Sequence, residues 1–256
     1  MSDLHYTSYG NGAPLVLVHG LAGSTRWWRR NTRALSNHFK VYLVDLPGFG
    51  LSGQACALED VTLSLPAWLD WMGLERVYLV GHSMGGYVSL RMAALQPERV
   101  EKLALIDSVG IPTKGGVQHM MLRLMRAMKH GSFSFIPTVV SDGLRAGIPT
   151  LLRLTNEICQ VDARPYLPRI QAPTMVLWGT RDVMLPPQMG LQMAEMIPNA
   201  SFKFIPRAGH NAMADRPNLV NEYLLDFLRE EPKRLSAPPM PLALGEIKTR
   251  VVADHL

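Results

Sequence analysis

The sequence contains only two cysteines, Cys56 and Cys159, among 256 residues. Two thiols cannot form the disulfide framework of a small secreted protein, and they show none of the Cys/His spacings that bind zinc. We therefore expect no metal site. A reducing compartment, the cytoplasm, is the expected location because unpaired thiols persist there.

Long apolar runs are also missing. No segment approaches the length of about 20 apolar residues that a membrane-spanning helix needs. The start, MSDLHYTSYGNG, lacks the basic patch and apolar stretch of a secretory signal. The charge is only weakly unbalanced, with 26 Lys/Arg against 21 Asp/Glu. Because this excess comes with neither a basic stripe with interleaved aromatic residues nor a GxxxxGK[ST] loop, we expect no nucleic acid partner.

Short runs rich in Val, Leu and Ile alternate with longer mixed segments. Most of the runs are continuously apolar, which is typical of parallel strands that are buried on both faces. The gaps between them are long enough for crossover helices. The predicted strands are 14–20, 41–48, 77–83, 102–108, 174–180 and 202–206, and the predicted helices are 24–36, 57–72, 84–95, 187–197 and 217–230. Right-handed βαβ units of this kind predict an α/β fold with a doubly wound, mostly parallel sheet.

One gap is too long for a loop and contains no buried-strand pattern. We interpret this segment, 109–173, as a helical insertion at the carboxyl edge of the sheet, and 1–108 with 174–231 as the core. Residues 232–256 begin Pro-rich, and we expect them to form an extension outside the core. Before Pro14 there is room for a single short strand.

Glycines surround one serine in VYLVGHSMGGYVSL, residues 77–90. A sharp strand-to-helix turn strains its central residue, and Gly81 and Gly85 remove the side chains that would clash there. This G-x-S-x-G pattern is typical of a nucleophile elbow, which holds a serine hydroxyl at a helix N-terminus. The pattern predicts that Ser83 is a nucleophile, and a plain βα turn is the alternative interpretation.

A serine nucleophile needs a base that accepts its proton and an acid that orients the base. His210 lies in PRAGHNAM, past the last predicted strand, and Asp182 lies in WGTRDVMLPP, past the preceding strand. The order Ser83, Asp182, His210 is the order found in hydrolases with this elbow. Asp107, at the end of KLALID, is the alternative acid, and we favour Asp182 because of the chain order.

Acyl transfer also needs backbone N–H groups that bind the oxyanion. The N–H of Met84, directly after the nucleophile, is one candidate, and the N–H of Leu21 in the loop HGLAGS is the other. Gly20 lets this loop bend close to the site. Trp27 follows the loop and is a candidate for the pocket wall.

The motifs together resemble those of the α/β-hydrolase superfamily over about residues 6–230. The matching residues are GAPLVLVHGLAGS, Trp28, VYLVDLPGFGLSG, LVGHSMGG, WGTRDVMLP and AGHNAM. The resemblance implies an esterase-like fold, a catalytic triad of Ser83, Asp182 and His210, an oxyanion hole at Leu21 and Met84, and a cap formed by 109–173. The chain looks most similar to small microbial carboxylesterases, with perhydrolases and carbon–carbon bond hydrolases nearby. Relatives that dehalogenate or open epoxides need Asp at the elbow, so Ser83 argues against both reactions.

The segment HMMLRLMRAMKH, residues 119–130, predicts a helix with an apolar face formed by Met121, Leu124, Met125 and Met128. This face either packs on the core or forms a flexible wall for the acyl chain of a substrate. Residues 111–172 hold eight Lys/Arg and three Asp/Glu. We favour a solvated basic face over an interfacial lid that meets anionic lipid.

The sequence therefore predicts a serine hydrolase of carboxylic esters that uses no cofactor and no metal. Its expected partner is a small-molecule ester with an apolar acyl chain. One alternative is a cofactor-free perhydrolase or a carbon–carbon bond hydrolase on the same triad, because a fold does not determine the reaction. Another alternative is a receptor with this fold that binds a small ligand, against which the intact triad argues.

Overall fold

The computed structural model describes residues 4–113, 115–127 and 132–230, and the structural statements below concern these residues. Seven strands form one sheet in the order β1-β3-β2-β4-β5-β6-β7. The strands are β1 (Tyr6–Tyr9), β2 (Pro14–Val18), β3 (Lys40–Val44), β4 (Val77–His82), β5 (Val100–Ile106), β6 (Thr174–Gly179) and β7 (Ala200–Ile205). Only β1 is antiparallel to its neighbour. The predicted mostly parallel sheet is confirmed, and the single short strand before Pro14 is its antiparallel edge.

The helices that connect the strands pack on both faces of the sheet. They are α1 (Arg29–Ser36), α2 (Leu58–Trp71), α3 (Met84–Leu95), α4 (Gly116–Ala127), α5 (Ile136–Ala146), α6 (Ile148–Cys159), α7 (Pro187–Met196), α8 (Ala212–Asp215) and α9 (Pro217–Arg229). The prediction of one helix over 24–36 was wrong at its start, where Thr25–Trp28 form a 3₁₀ helix. Ser24 caps this tighter turn, since its Oγ accepts the Arg26 N–H. None of the described helices combines the length and apolar character that crossing a bilayer requires.

Two apolar clusters, one on each face of the sheet, form the core. Leu15 and Leu17 of β2 belong to one cluster, and Val16 and Val18 belong to the other. Alternate side chains of a strand point to opposite faces, so a strand that is covered on both faces is apolar at every position. This explains the continuous apolar runs of the sequence.

The segment between β5 and β6 contributes α4, α5 and α6 and extends the core. Leu154 and Ile158 of α6 are buried in one cluster, and Phe135, directly before α5, is buried in the other. The described part of the insertion is helical, as predicted.

The parallel register brings the carboxyl ends of the central strands to one edge of the sheet. Val18 lies beside Gly81, and Ile106 lies between His82 and Leu177. The loops that follow β2, β4, β5, β6 and β7 therefore meet at this edge, where open α/β sheets bind their ligands.

Candidate active site

The turn between β4 and α3 holds Ser83 in a strained conformation, with φ 53° and ψ −117°. A Cβ at position 81 would collide with the Gly85 carbonyl oxygen, and a Cβ at position 85 would collide with the His19 carbonyl oxygen. Glycine is therefore required at both positions. The Ser83 hydroxyl lies at the first turn of α3, whose N–H groups lack intrahelical acceptors.

Three buried side chains from three loops form a hydrogen-bonded relay. Ser83 Oγ lies 3.0 Å from His210 Nε2, and His210 Nδ1 lies 2.8 Å from Asp182 Oδ2. The exposed fractions are 8% for Ser83, 8% for His210 and 3% for Asp182. Because a carboxylate can only accept, Nδ1–H donates to Asp182, which leaves Nε2 as the acceptor for the Ser83 hydroxyl.

Backbone donors hold the Asp182 carboxylate in place. Its Oδ1 accepts the N–H of Met184 at 2.8 Å and the N–H of Leu185 at 3.0 Å. These bonds commit one carboxylate oxygen to its own loop and leave the other for His210. The loop after β6 therefore fixes the direction from which Asp182 meets the imidazole.

Asp107, the alternative acid of the sequence, lies beside this relay and contacts other groups. Its Oδ1 accepts the Gly179 N–H at 2.7 Å, and its Oδ2 accepts the Ala212 N–H at 3.2 Å. Burial, together with the nearby carboxylate of Asp182, raises the pKa of Asp107 well above its usual value. Asp107 thus joins the loop of the acid to the helix that follows His210.

His82 packs against His210, with 5.1 Å between the ring centroids, and Trp27 packs on His82. His82 Nε2–H donates to the His210 carbonyl oxygen at 2.8 Å, and burial lowers the pKa of His82 well below its usual value. The Trp27 ring lies 5.6 Å from the His82 ring and 5.4 Å from the Phe135 ring, measured between centroids. A neutral imidazole and two buried aromatic rings thus support the backbone of His210.

The loop after β2 approaches Ser83 closely. A Cβ at Gly20 would lie 3.0 Å from the Ser83 Cβ, so the backbone next to Leu21 reaches the nucleophile. His19 supports this loop, since its Nδ1–H donates to the Gly20 carbonyl oxygen at 2.7 Å and its Nε2 accepts the Leu46 N–H at 3.0 Å. Burial lowers the pKa of His19 and keeps this hydrogen-bonding tautomer neutral.

The helix predicted over 119–130 is α4, which begins three residues earlier. Met120 is the side chain that packs on the core, whereas Met121 is 44% exposed and Leu124 is 39% exposed. The interpretation in which Met121 and Leu124 pack on the core was therefore wrong, because the helix turns Met120 inward. The side chain of Met125 and the whole of Met128 lie outside the described residues.

Sequence reasoning missed three polar residues that surround the site. Asp142 of α5 accepts a hydrogen bond from Ser24, and Asp215 accepts one from the N–H of Gly209, next to His210. Asp142 and Asp215 lie in ordinary helical segments, and Ser24 lies in a short loop. Nothing in the order of residues marks these contacts, since Ser24 and Asp142 are 118 positions apart.

Comparisons with known proteins identify the family of the chain. The model of the alpha/beta hydrolase fold family matches residues 13–155 and 147–217. The chain is 32% identical, over 88% of its length and 90% of the relative's, to a 2-hydroxy-6-oxononadienedioate/2-hydroxy-6-oxononatrienedioate hydrolase of Paraburkholderia phymatum. It is 31% identical over 86% of its length to the dihydrolipoyllysine-residue acetyltransferase component of the acetoin cleaving system of Pseudomonas putida, but spans only 64% of that protein.

A solved structure, a thermophilic esterase from Thermogutta terrifontis, superposes with a TM-score of 0.76 at 27% identity and covers 88% of this chain and 93% of its own. The family match spans most of the core and much of the insertion, and the relatives that cover the chain include hydrolases. The chain belongs to the α/β-hydrolase family.

Proposed function

We propose that this hydrolase cleaves carboxylic esters of small molecules through an acyl-enzyme intermediate on Ser83. The observation that supports the proposal is the continuous relay from Ser83 Oγ through His210 to Asp182. A hydroxyl becomes nucleophilic when a neutral imidazole accepts its proton, and a fixed carboxylate stabilises the imidazolium that forms.

In the proposed reaction, Ser83 Oγ attacks the ester carbonyl carbon while its proton moves to His210 Nε2. The C–O bond to the alcohol then breaks, and the same proton passes from Nε2 to the leaving oxygen. A water molecule next gives a proton to Nε2 and attacks the acyl carbon. The acid leaves, and the proton returns to Ser83 Oγ. Every proton transfer passes through His210, and the Asp182 carboxylate stabilises the imidazolium that forms.

The N–H groups of Leu21 and Met84 are the proposed donors to the oxyanion. Met84 is the first residue of α3, and Leu21 follows the glycine that packs on Ser83. We further propose that 109–173 acts as a cap over a core of 1–108 and 174–231. In this assignment Met121 and Leu124 of α4 contact the acyl chain, and Gly20 and Trp27 lie at the opposite wall.

The experiment compares the wild type with Ser83→Ala on p-nitrophenyl esters from acetate to palmitate. We expect ester turnover in the wild type and a decrease in kcat of about 10⁴–10⁶-fold in Ser83→Ala. A fluorophosphonate should label Ser83, as located by peptide mass analysis. Ser201→Ala, which changes an exposed serine of β7, is the matched control and should retain full activity.

The acyl wall is tested with Leu124→Ser, and Leu122→Ser on the same helix is the control. Each buried methylene contributes about 0.8 kcal/mol, so catalytic efficiency should rise with acyl length in the wild type. Leu124→Ser should flatten this rise and leave acetate hydrolysis unchanged. An unaltered chain-length profile would remove α4 from the substrate site.

Carbon–carbon bond hydrolysis is the second candidate, and the 32% identity to the 2-hydroxy-6-oxononadienedioate hydrolase favours it. The same relay would then act on a 2-hydroxy-6-oxo-dienoate. Measuring kcat/KM for the dienoate and for the esters distinguishes the two candidate reactions. Efficient cleavage of the dienoate with negligible ester turnover would refute the ester proposal. Absence of turnover with both classes would favour a ligand-binding receptor.

A further inference from the structure

A buried carboxylate of the insertion is bonded to the loop that follows β2. Asp142 of α5 is only 2% exposed. Its Oδ2 accepts the hydroxyl of Ser24 at 2.7 Å, and its Oδ1 accepts Nη1 of Arg26 at 3.0 Å. A buried charge needs partners of this kind, because losing water without replacement bonds is costly. Both carboxylate oxygens of Asp142 thus accept hydrogen bonds from residues 24–26 of the core.

The same loop contains the proposed oxyanion donor. The Gly23 N–H donates to the Gly20 carbonyl oxygen at 3.0 Å, and Ala22 between them has φ 62°. A non-glycine residue reaches this left-handed conformation only when its surroundings hold it there. On the side of α5, a Cβ at Gly143 would lie 3.8 Å from the Ala22 Cβ. The turn that carries Leu21 is therefore packed between the nucleophile and α5.

A second carboxylate joins the start of the same insertion segment to the histidine loop. Asp215 Oδ1 accepts the Ser132 N–H at 2.7 Å, and Asp215 Oδ2 accepts the Gly209 N–H at 2.8 Å. The segment 132–142 is thus linked at one end, through Asp215, to the neighbour of His210, and its other end is bonded directly to the oxyanion loop. The position of this segment and the geometry of the histidine and oxyanion loops therefore depend on each other.

We propose that Asp142 is a positioning residue, which docks α5 on the oxyanion loop and thereby aims the Leu21 N–H at the developing oxyanion. The inference rests on the proposed acyl transfer at Ser83. Asp142 itself touches no reacting atom, and it acts through Ser24 and Arg26. A donor that strengthens its bond in the transition state contributes to kcat, so misalignment of the loop should lower kcat more than it raises KM.

The test compares Asp142→Asn with Asp162→Asn, a second aspartate of the insertion whose partner among the described residues is the nearby Arg164. Asparagine offers one acceptor oxygen and no charge, so it cannot keep both Ser24 and Arg26. We expect kcat on a short ester to decrease about 10–100-fold in Asp142→Asn, within the range for weakening one oxyanion donor. KM for the same ester should change less than about threefold. Asp162→Asn should match the wild type.

A second readout does not depend on the identity of the substrate. The rate constant for labelling of Ser83 by a fluorophosphonate should fall in parallel with kcat, because its P=O oxygen occupies the oxyanion site. The final extent of labelling should stay complete, which shows that the nucleophile is intact. Ser24→Ala removes one bond to Asp142 and should lower kcat in the same direction by less, so it replaces Asp142→Asn if that variant does not fold.

Wild-type kcat in both Asp142→Asn and Ser24→Ala, or an effect on KM alone, would overturn the inference. An additive double variant would also contradict it, since residues that act through one contact show coupled effects. Failure of the proposed function looks different. In that case the wild type is labelled at Ser83 but hydrolyses no ester, while the labelling rate still reports the effect of Asp142.

Discussion

Ser83 adopts a backbone conformation that its neighbours must enforce. Its N–H donates to the Ile106 carbonyl oxygen at 3.0 Å, and its carbonyl oxygen accepts the N–H groups of Tyr87 and Val109 at 3.2 and 3.1 Å. Strain of this type costs on the order of 1–3 kcal/mol and persists only where surrounding bonds determine it. These bonds keep the hydroxyl beside His210, and a substitution of the side chain alone should leave the turn in place.

The choice between two buried carboxylates leads to a prediction on activity. Asp182→Asn should lower kcat about 10⁴-fold, because the amide favours the wrong tautomer of His210. Asp107→Asn should have a far smaller effect, since Asp107 bonds to backbone N–H groups and not to the imidazole. Steady-state kinetics on one ester measures both variants. The reverse ranking would make Asp107 the catalytic acid.

Asp107 also predicts a dependence of stability on pH. Its pKa is raised in the folded protein by burial and by Asp182, so the folded state binds the proton more tightly than the unfolded chain does. Its contribution to stability is therefore fully present below the unfolded pKa of about 3.9 and is lost as the pH rises through the folded pKa. Urea unfolding of wild type and Asp107→Asn should show the wild type losing stability relative to the variant as the pH rises above the unfolded pKa of about 3.9.

Asp162→Asn provides a control of opposite sign. The hydrogen bonds from Arg164 lower the pKa of Asp162 in the folded protein. The contribution of Asp162 to stability is therefore present above the unfolded pKa and is lost as the pH falls. If the difference between wild type and Asp107→Asn were the same at all pH values, the raised pKa of Asp107 would be wrong.

At the scale of elements, the elbow depends on contact between the start of α3 and the end of β2. The glycine at position 85 lets two backbones meet, because a Cβ there would overlap the carbonyl oxygens of both Val18 and His19. The backbone cannot move aside without displacing the oxyanion loop, which follows His19 directly. The glycine thus links α3 to β2, the strand that precedes the loop with the proposed oxyanion donor.

Gly85→Ala should therefore destabilise the protein by about 3 kcal/mol or more and slow the labelling of Ser83, since overlap with backbone is harder to relieve than overlap with a side chain. Gly53→Ala is the matched control, because a Cβ at position 53 has no atom within 4 Å. Urea unfolding and fluorophosphonate labelling measure the two effects. Equal stability of the two variants would show that the β2–α3 contact is not tight.

At the scale of the whole molecule, the last helix closes one face of the sheet. Val220, Leu224 and Leu228 of α9 are buried in the same cluster as Leu15 and Leu17 of β2. A buried cation holds the end of this helix, since Lys102 Nζ of β5 donates to the carbonyl oxygens of Phe227 and Glu230. Carbonyl groups at a helix C-terminus lack intrahelical donors, and a cation satisfies them well.

Lys102→Met should destabilise the protein by about 1.5–3 kcal/mol, the usual range for hydrogen bonds to a charged group. Lys203→Met is the control, since Lys203 is exposed and its Nζ lies 4.5 Å from the centre of the Tyr223 ring. We expect it to cost less than about 1 kcal/mol. Unfolding midpoints in urea measure both variants, and equal losses would refute the role of Lys102 as a helix cap.

The sequence by itself determined the sheet, the elbow and the order of the three relay residues. Strands that are covered on both faces must be apolar throughout, and a turn that packs backbone on backbone must use glycine, so both requirements are visible in the order of residues. The position of His210 after the last strand followed from the same pattern, because parallel strands end at one edge.

Only the tertiary structure showed that Asp182, and not Asp107, is hydrogen-bonded to His210, since both residues follow strands that end at the same edge of the sheet. It also decided that Met120, and not Met121 or Leu124, faces the core, because the rotation of α4 depends on what it packs against. The bonds of Asp142 to Ser24 and of Asp215 to Gly209 likewise had no signature in the chain. Such contacts join elements that are distant in sequence, and their geometry exists only after the sheet, the loops and the insertion have packed together.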